Sequence, residues 1–120
     1  MVQTIDEIRG RSAEPDPNFR HAPPDWTEAV AVEVARRENL TLIDDHWEVV
    51  RGLQEFFARH EDAPITLRDL HDALEEKFHR QGGVRYLYTI LPAGPVAQGC
   101  RLAGLKPPGG AVDTSFGSVA

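Results

Sequence analysis

The sequence predicts a mainly α fold, a compact helical bundle followed by a mobile C-terminal arm. Three observations carry that expectation. Apolar residues between 26 and 103 recur at every third or fourth position, the spacing of one helix face. Thr41 and Thr66 each stand three residues before an aspartate at the mouth of such a run, a capping-box pattern with Asp in place of Glu or Gln. The strongest breakers, Pro64, Gly82-Gly83, Pro92 and Gly104, fall between the runs.

Residues 1–24 are irregular. "AEPDPNF" and "HAPPDW" place four prolines within ten residues, a composition for turns and extended chain. Asp25 then reads as the N-cap of a helix from Trp26 to about Glu38, with Trp26, Ala29, Val30, Val34 and Arg37 on one side and Asn39 at its end. Residues 42–59 read as the central core helix. Ile43, Trp47, Val50 and Phe57, flanked by His46, Leu53 and Phe56, form its broad apolar stripe. Asp62-Ala63-Pro64 interrupts the pattern. A third helix spans about 67–79, with Leu67, Leu70, Leu74 and Phe78 on one face, and Gly82-Gly83 closes it. "VRYLYTIL" is a short apolar helix or turn stopped by Pro92. Pro95 occupies a favourable first-turn position for a helix to about Ala103, with Gly104 as its C′ cap. From 105 to 120 the Pro/Gly/Ser-rich chain has too little apolar content to hold itself down. The expected division is therefore 1–24, a helical domain over 25–104, and an arm over 105–120.

At 120 residues the chain is long enough for one modest core, and 41% hydrophobic with 27% charged residues is a globular composition. No apolar run approaches the roughly 18–20 residues that span a bilayer. The start, "MVQTIDEIRG", carries acids and no apolar stretch, so it does not read as a signal peptide. With a single cysteine no internal disulfide can form, and a cytoplasmic location is expected. Residues 1–79 hold 9 Lys+Arg against 18 Asp+Glu, whereas 80–120 hold Arg80, Arg85, Arg101 and Lys106 against Asp113 alone. That mildly basic end suits an acidic partner surface or an anionic sulfur species, with Arg85, Arg101 and Lys106 as the contacts.

Other constellations are weaker. The helix pair 41–51 and 66–78 has the outline of a helix-turn-helix, but its second member carries Asp69, Asp72, Glu75 and Glu76 against Arg68 and Lys77, and phosphates would repel it. His71, Glu75 and His79 share a helix face, yet the outer two lie about 12 Å apart along the axis, too far for one ion. No metal or cofactor is expected. Cys100 remains as the candidate thiol. Val96, Cys100 and Ala103 share a face, which suits a small buried hydrophobe. Neighbouring Arg101 would instead favour the thiolate, the reactive form. Spacing leaves both open.

Two stretches resemble a known family. "LTLIDDHWEVVRGLQEFF" (40–57) and "RYLYTILPAGPVAQGCRLAGLKPP" (85–108) are similar to the TusE/DsrC/DsvC sulfur-relay proteins, which include the gamma subunit of dissimilatory sulfite reductase. The resemblance rests on His46, Trp47 and Glu48, then on Arg85, Tyr86, Leu87, Tyr88, Pro92, Gly94, Pro95, Gln98, Cys100, Ala103, Gly104 and Leu105. It implies a compact orthogonal helical bundle with an N-terminal β-hairpin, degenerate here because "AEPDP" stands where the family has two short strands. It also implies a mobile arm that ends in Gly-Cys-Val and carries persulfide sulfur on that cysteine.

This chain departs from the pattern at the arm. Eleven residues beyond Cys100 stands Ala111, in "GGAVD", and residues 113–120 run past the family's usual end. Without the arm thiol neither sulfur carriage at that place nor a Cys–Cys link can occur. The expectation is a sulfur-metabolism protein that works through contact with a sulfurtransferase or sulfite-reductase-type partner, a divergent or regulatory paralogue without turnover of its own. The alternatives are a one-thiol carrier using Cys100 and, third, a DNA-binding regulator.

Overall fold

Five α-helices and one 3-10 turn follow one another through residues 18–61 and 64–108, the residues described by a computed structural model. They are α1 (Glu28–Arg37), α2 (Asp44–Arg59), α3 (Leu67–Lys77), the 3-10 turn His79–Gln81, α4 (Gly83–Ile90) and α5 (Pro95–Ala103). Among the described residues there is no strand, and Phe19 makes only an isolated bridge. The fold is mainly α, as the periodicity predicts. The degenerate hairpin and most of the arm fall outside the described residues.

Two helix starts follow from local chemistry. Thr66 Oγ1 accepts from the Asp69 amide and Asp69 Oδ2 accepts from the Thr66 amide, both at 3.1 Å, so the expected box at α3 forms. At α2 the expected Thr41–Asp44 box does not form. The helix starts at Asp44, and His46 Nδ1 instead accepts from the Ile43 amide at 2.9 Å. Since Nδ1 accepts, the ring proton sits on Nε2, which donates to the Ile90 carbonyl at 2.8 Å and ties α2 to the end of α4.

The first helix differs from expectation in both its start and its buried face. Thr27, not Asp25, is the N-cap, and Trp26 lies outside the helix. Ala31 and Ala35 are the residues buried, while Val30 is exposed. Small side chains let α1 approach α5 closely, and that approach selects the alanine face over the bulkier valine face. Asn39 ends α1 at φ 60, in the left-handed region, and the Leu40 amide reaches back to the Ala35 carbonyl at 2.8 Å.

The centre of the bundle is α5, rather than α2 as the apolar stripe suggests. Pro95 to Cys100 are all buried, as are Leu102 and Ala103, and α5 packs against each of the other four helices. A helix buried all round is a core element. Gly99 lets α2 come close, because a Cβ there would lie 2.9 Å from Leu53 Cδ1 and 3.0 Å from Val49 Cγ1. Ile43, just ahead of α2, is 44% exposed despite its place in the predicted stripe.

Burying α5 would strand the carbonyls of its last turn. All four are satisfied. The Leu105 amide donates to the Cys100 carbonyl at 2.8 Å and the Gly104 amide to the Arg101 carbonyl at 3.4 Å, with Gly104 at φ 76, a Schellman closure. Trp26 Nε1 donates to the Leu102 carbonyl at 2.7 Å, and Gln54 Nε2 to the Ala103 carbonyl at 2.9 Å. Two distant side chains therefore complete a cap that local residues only begin.

Candidate functional site

The candidate thiol, Cys100, lies mid-helix on α5 with 0% exposure, inside the core cluster that includes Val96, Leu53 and Leu102. Burial pushes its pKa up to about 12, and the charge of Arg101 opposes that only partly. A thiol in this setting is held protonated at neutral pH, and the thiolate is the nucleophile. As α5 is covered on every side, no rotamer of Cys100 reaches solvent without a movement of the helix or its neighbours.

Arg101, the expected activator, is committed elsewhere. Its Nε donates to Glu38 Oε2 at 2.7 Å and its Nη2 to Glu38 Oε1 at 2.8 Å, a bidentate pair. Gln98 Nε2 donates to the same Glu38 Oε1 at 2.7 Å, while Gln98 Oε1 accepts from the Ala93 amide at 3.0 Å. The Arg101 hydrogen bonds, followed by that from Gln98, hold the Glu38 carboxyl below its ordinary value against the opposing effect of burial. The carboxylate at the C-cap of α1 thus latches α5. Glu38 escaped the sequence reading because its partner is 63 residues away and nothing local marks it.

The remaining positions divide between scaffold and surface. His46 joins α2 to α4, and Trp47 is half-buried with its ring 5.7 Å from that of Phe19. The Tyr86 hydroxyl donates to Asp45 at 2.5 Å, which raises the pKa of the phenol. Gly94 and Pro95 are buried at the start of α5, Gly104 makes its left-handed end, and Pro92 is exposed. Arg85 and Tyr88 lie exposed on α4, one turn apart. Lys106 lines a groove of about 540 Å³ between the 21–24 turn, the end of α2 and the root of the arm. Of the three expected contact cations, Arg101 braces the core, Arg85 faces solvent and Lys106 borders the groove.

Among the described residues no cluster of three His, Cys, Asp or Glu side chains is arranged to hold a metal ion. Glu75, from the His71–His79 face, instead accepts from the Val84 amide at 2.9 Å and caps the start of α4. No helix among the described residues is long and apolar enough to cross a membrane.

Comparison with known proteins agrees with this arrangement. The family described as "DsrC like protein" matches residues 7–112. The chain is 40% identical over 85 residues to the sulfurtransferase TusE of Photorhabdus laumondii, covering 70% of this chain and 76% of that one. It is 42% identical over 84 residues to TusE of Salmonella typhimurium, covering 69% and 76%. The NMR structure of Allochromatium vinosum DsrC superposes with a TM-score of 0.60 at 38% identity, covering 73% of this chain and 79% of the other. On the family match, the identities and the shared helical fold together, the chain belongs to the TusE/DsrC family of sulfur-relay proteins.

Proposed function

We propose that this protein serves cytoplasmic sulfur metabolism by binding a sulfurtransferase or sulfite-reductase-type partner, as a regulatory paralogue that carries no sulfur itself. The observation that supports this reading most directly is the placement of its one cysteine. Cys100 is fully buried and protonated, and Ala111 stands where the resemblance places an arm thiol. Sulfur carriage needs a thiolate that can reach a donor. What this chain retains is the family's scaffold, with exposed Arg85 and Tyr88 and the groove beside Lys106 as contact surface.

The test is intact-mass spectrometry of the reduced protein after exposure to polysulfide or to a persulfidated sulfurtransferase, with Cys100→Ser alongside. The expected result is no added sulfur on either protein, together with partner binding unchanged in Cys100→Ser. Addition of one sulfur atom, absent from the variant and removed by a thiol reductant, overturns the reading. Cys100 would then be a carrier. Its thiolate would attack the terminal sulfur of the donor persulfide, forming a new S–S bond while the donor's own S–S bond breaks and the donor leaves as a thiolate.

A further inference from the structure

Basic side chains gather at one place in the acidic part of the chain. Arg20 and His21 come from the turn ahead of α1, and Arg51 and Arg59 from one face of α2. With Gln54 and Glu55 they line an open cleft of about 300 Å³, at the small end of ligand sites. Arg51 Nη2 pairs with Glu48 at 2.6 Å, and its guanidinium lies 5.1 Å from the centre of the Phe19 ring, which holds it in place. Arg59 pairs with Glu55 at 2.6 Å. Arg20 is exposed and meets no carboxylate among the described residues. Arg20, Arg51 and Arg59 against Glu55 leave the lining positive, although residues 1–79 hold 18 acids against 9 bases. Gln54 supplies an independent observation. It is 1% exposed, and the Ala103 carbonyl, which can only accept, fixes Nε2 of its amide. Oε1 is then the leftover acceptor, buried and without a donor among the described residues. Cations beside an unmet acceptor match an anion that still carries a proton.

We propose that this cleft binds a small oxyanion that keeps a proton at neutral pH, the class to which hydrogen phosphate belongs. The charged oxygens take N–H bonds from Arg20 and Arg51, and the O–H of the anion donates to Gln54 Oε1. Arg59 adds positive charge at the far edge, tempered by Glu55. The acceptor sets the selectivity. A fully deprotonated oxyanion such as sulfate brings Oε1 no donor and presses a second negative oxygen on it, so the same arginines hold it less well. Charge alone would give the opposite order, since sulfate is the more highly charged ion at pH 7. The inference stands apart from the sulfur-relay reading, because neither Cys100 nor Lys106 lines this cleft.

The experiment is proton–nitrogen NMR on the full-length chain at pH 7 and constant ionic strength, titrated with inorganic phosphate and separately with sulfate. Phosphate should give saturable shifts at the amides of 18–21 and 51–59 and at the Gln54 side-chain amide. Sulfate should bind about tenfold more weakly, the effect of leaving a buried acceptor unmet. Arg20→Ala removes an exposed side chain and should weaken phosphate binding severalfold while the signals of α5 stay in place. Equal affinities, or tighter binding of sulfate, overturn the proposal, since charge alone then accounts for the site. Shifts that never saturate, that fall elsewhere in the chain, or that persist unchanged in Arg20→Ala overturn it as well.

Discussion

Cys100 and Gly99 are neighbours that respond differently to one added or exchanged atom. Cys100→Ser keeps the size and places a hydroxyl where a thiol needed no partner, so it should cost about 1–3 kcal/mol in urea unfolding. The native thiol should resist iodoacetamide until denaturant is added; rapid alkylation of the folded protein would place Cys100 at the surface. Gly99→Ala adds a methyl within 3 Å of Leu53 and Val49, and overpacking of that kind costs about 1–3 kcal/mol. A variant as stable as wild type would show that α2 can yield at this contact. Gln54 is buried, with its amide capping Ala103 and its Oε1 meeting no donor among the described residues. Gln54→Leu would relieve that oxygen and strand the carbonyl instead.

At the scale of elements, the latch between α1 and α5 is electrostatic and therefore depends on pH. The Glu38 carboxyl is held below its ordinary value of 4.5 in the folded state, chiefly by hydrogen bonds from Arg101. A carboxyl lowered in this way stabilises the fold fully above its unfolded value, and the contribution is lost as pH falls through the folded value. Glu38→Gln should therefore cost about 1.5–3 kcal/mol at pH 7, the worth of charge-assisted hydrogen bonds. The gap between wild type and variant should begin to narrow once pH falls below that ordinary value, and it should be smaller at pH 3 than at pH 7. Chemical denaturation at the two pH values measures it, and a gap independent of pH would show that Glu38 acts through packing rather than charge. The capping box at Thr66 was readable because both partners lie within one turn. The His46 cap at α2 was not, because histidine is no usual N3 capping residue and its orientation is fixed by Ile90, 44 residues away.

Across the whole molecule, Trp26 closes the bundle by joining residues 76 apart in sequence. Trp26→Phe keeps most of the ring packing against Phe19 and Gly104 but leaves the Leu102 carbonyl without its donor. A buried acceptor left alone costs about 1–3 kcal/mol, so the single thermal transition should move to lower temperature without splitting. Two transitions would show that the Trp26 segment folds apart from the helices. The charge distribution makes a separate prediction. With net charge −6 and an acidic α3, the protein should give no salt-dependent shift of labelled DNA near physiological ionic strength. A shift there would bring the DNA-binding reading forward.

By itself the sequence determined the helical class, the start of α3, both ends of α5, and membership of a sulfur-relay family. Each of these depends on residues close together in the chain: a Thr-x-x-Asp box, a proline at one end of a helix and a glycine at the other, a run such as "RYLYTILPAGP". It also determined that an arm cysteine is missing, since Ala111 can be read directly. Only the tertiary structure decided what becomes of Cys100. The spacing of Val96, Cys100 and Ala103 shows one face of a helix, but burial depends on how many other helices surround it. Four do, so the thiol is enclosed from every side. The same packing turned Arg101 from an activating charge into half of a latch, because Glu38, distant in sequence, arrives beside it when α1 docks. Exposure and ionisation are properties of the assembled surroundings, and nothing within a few residues of Cys100 fixes either.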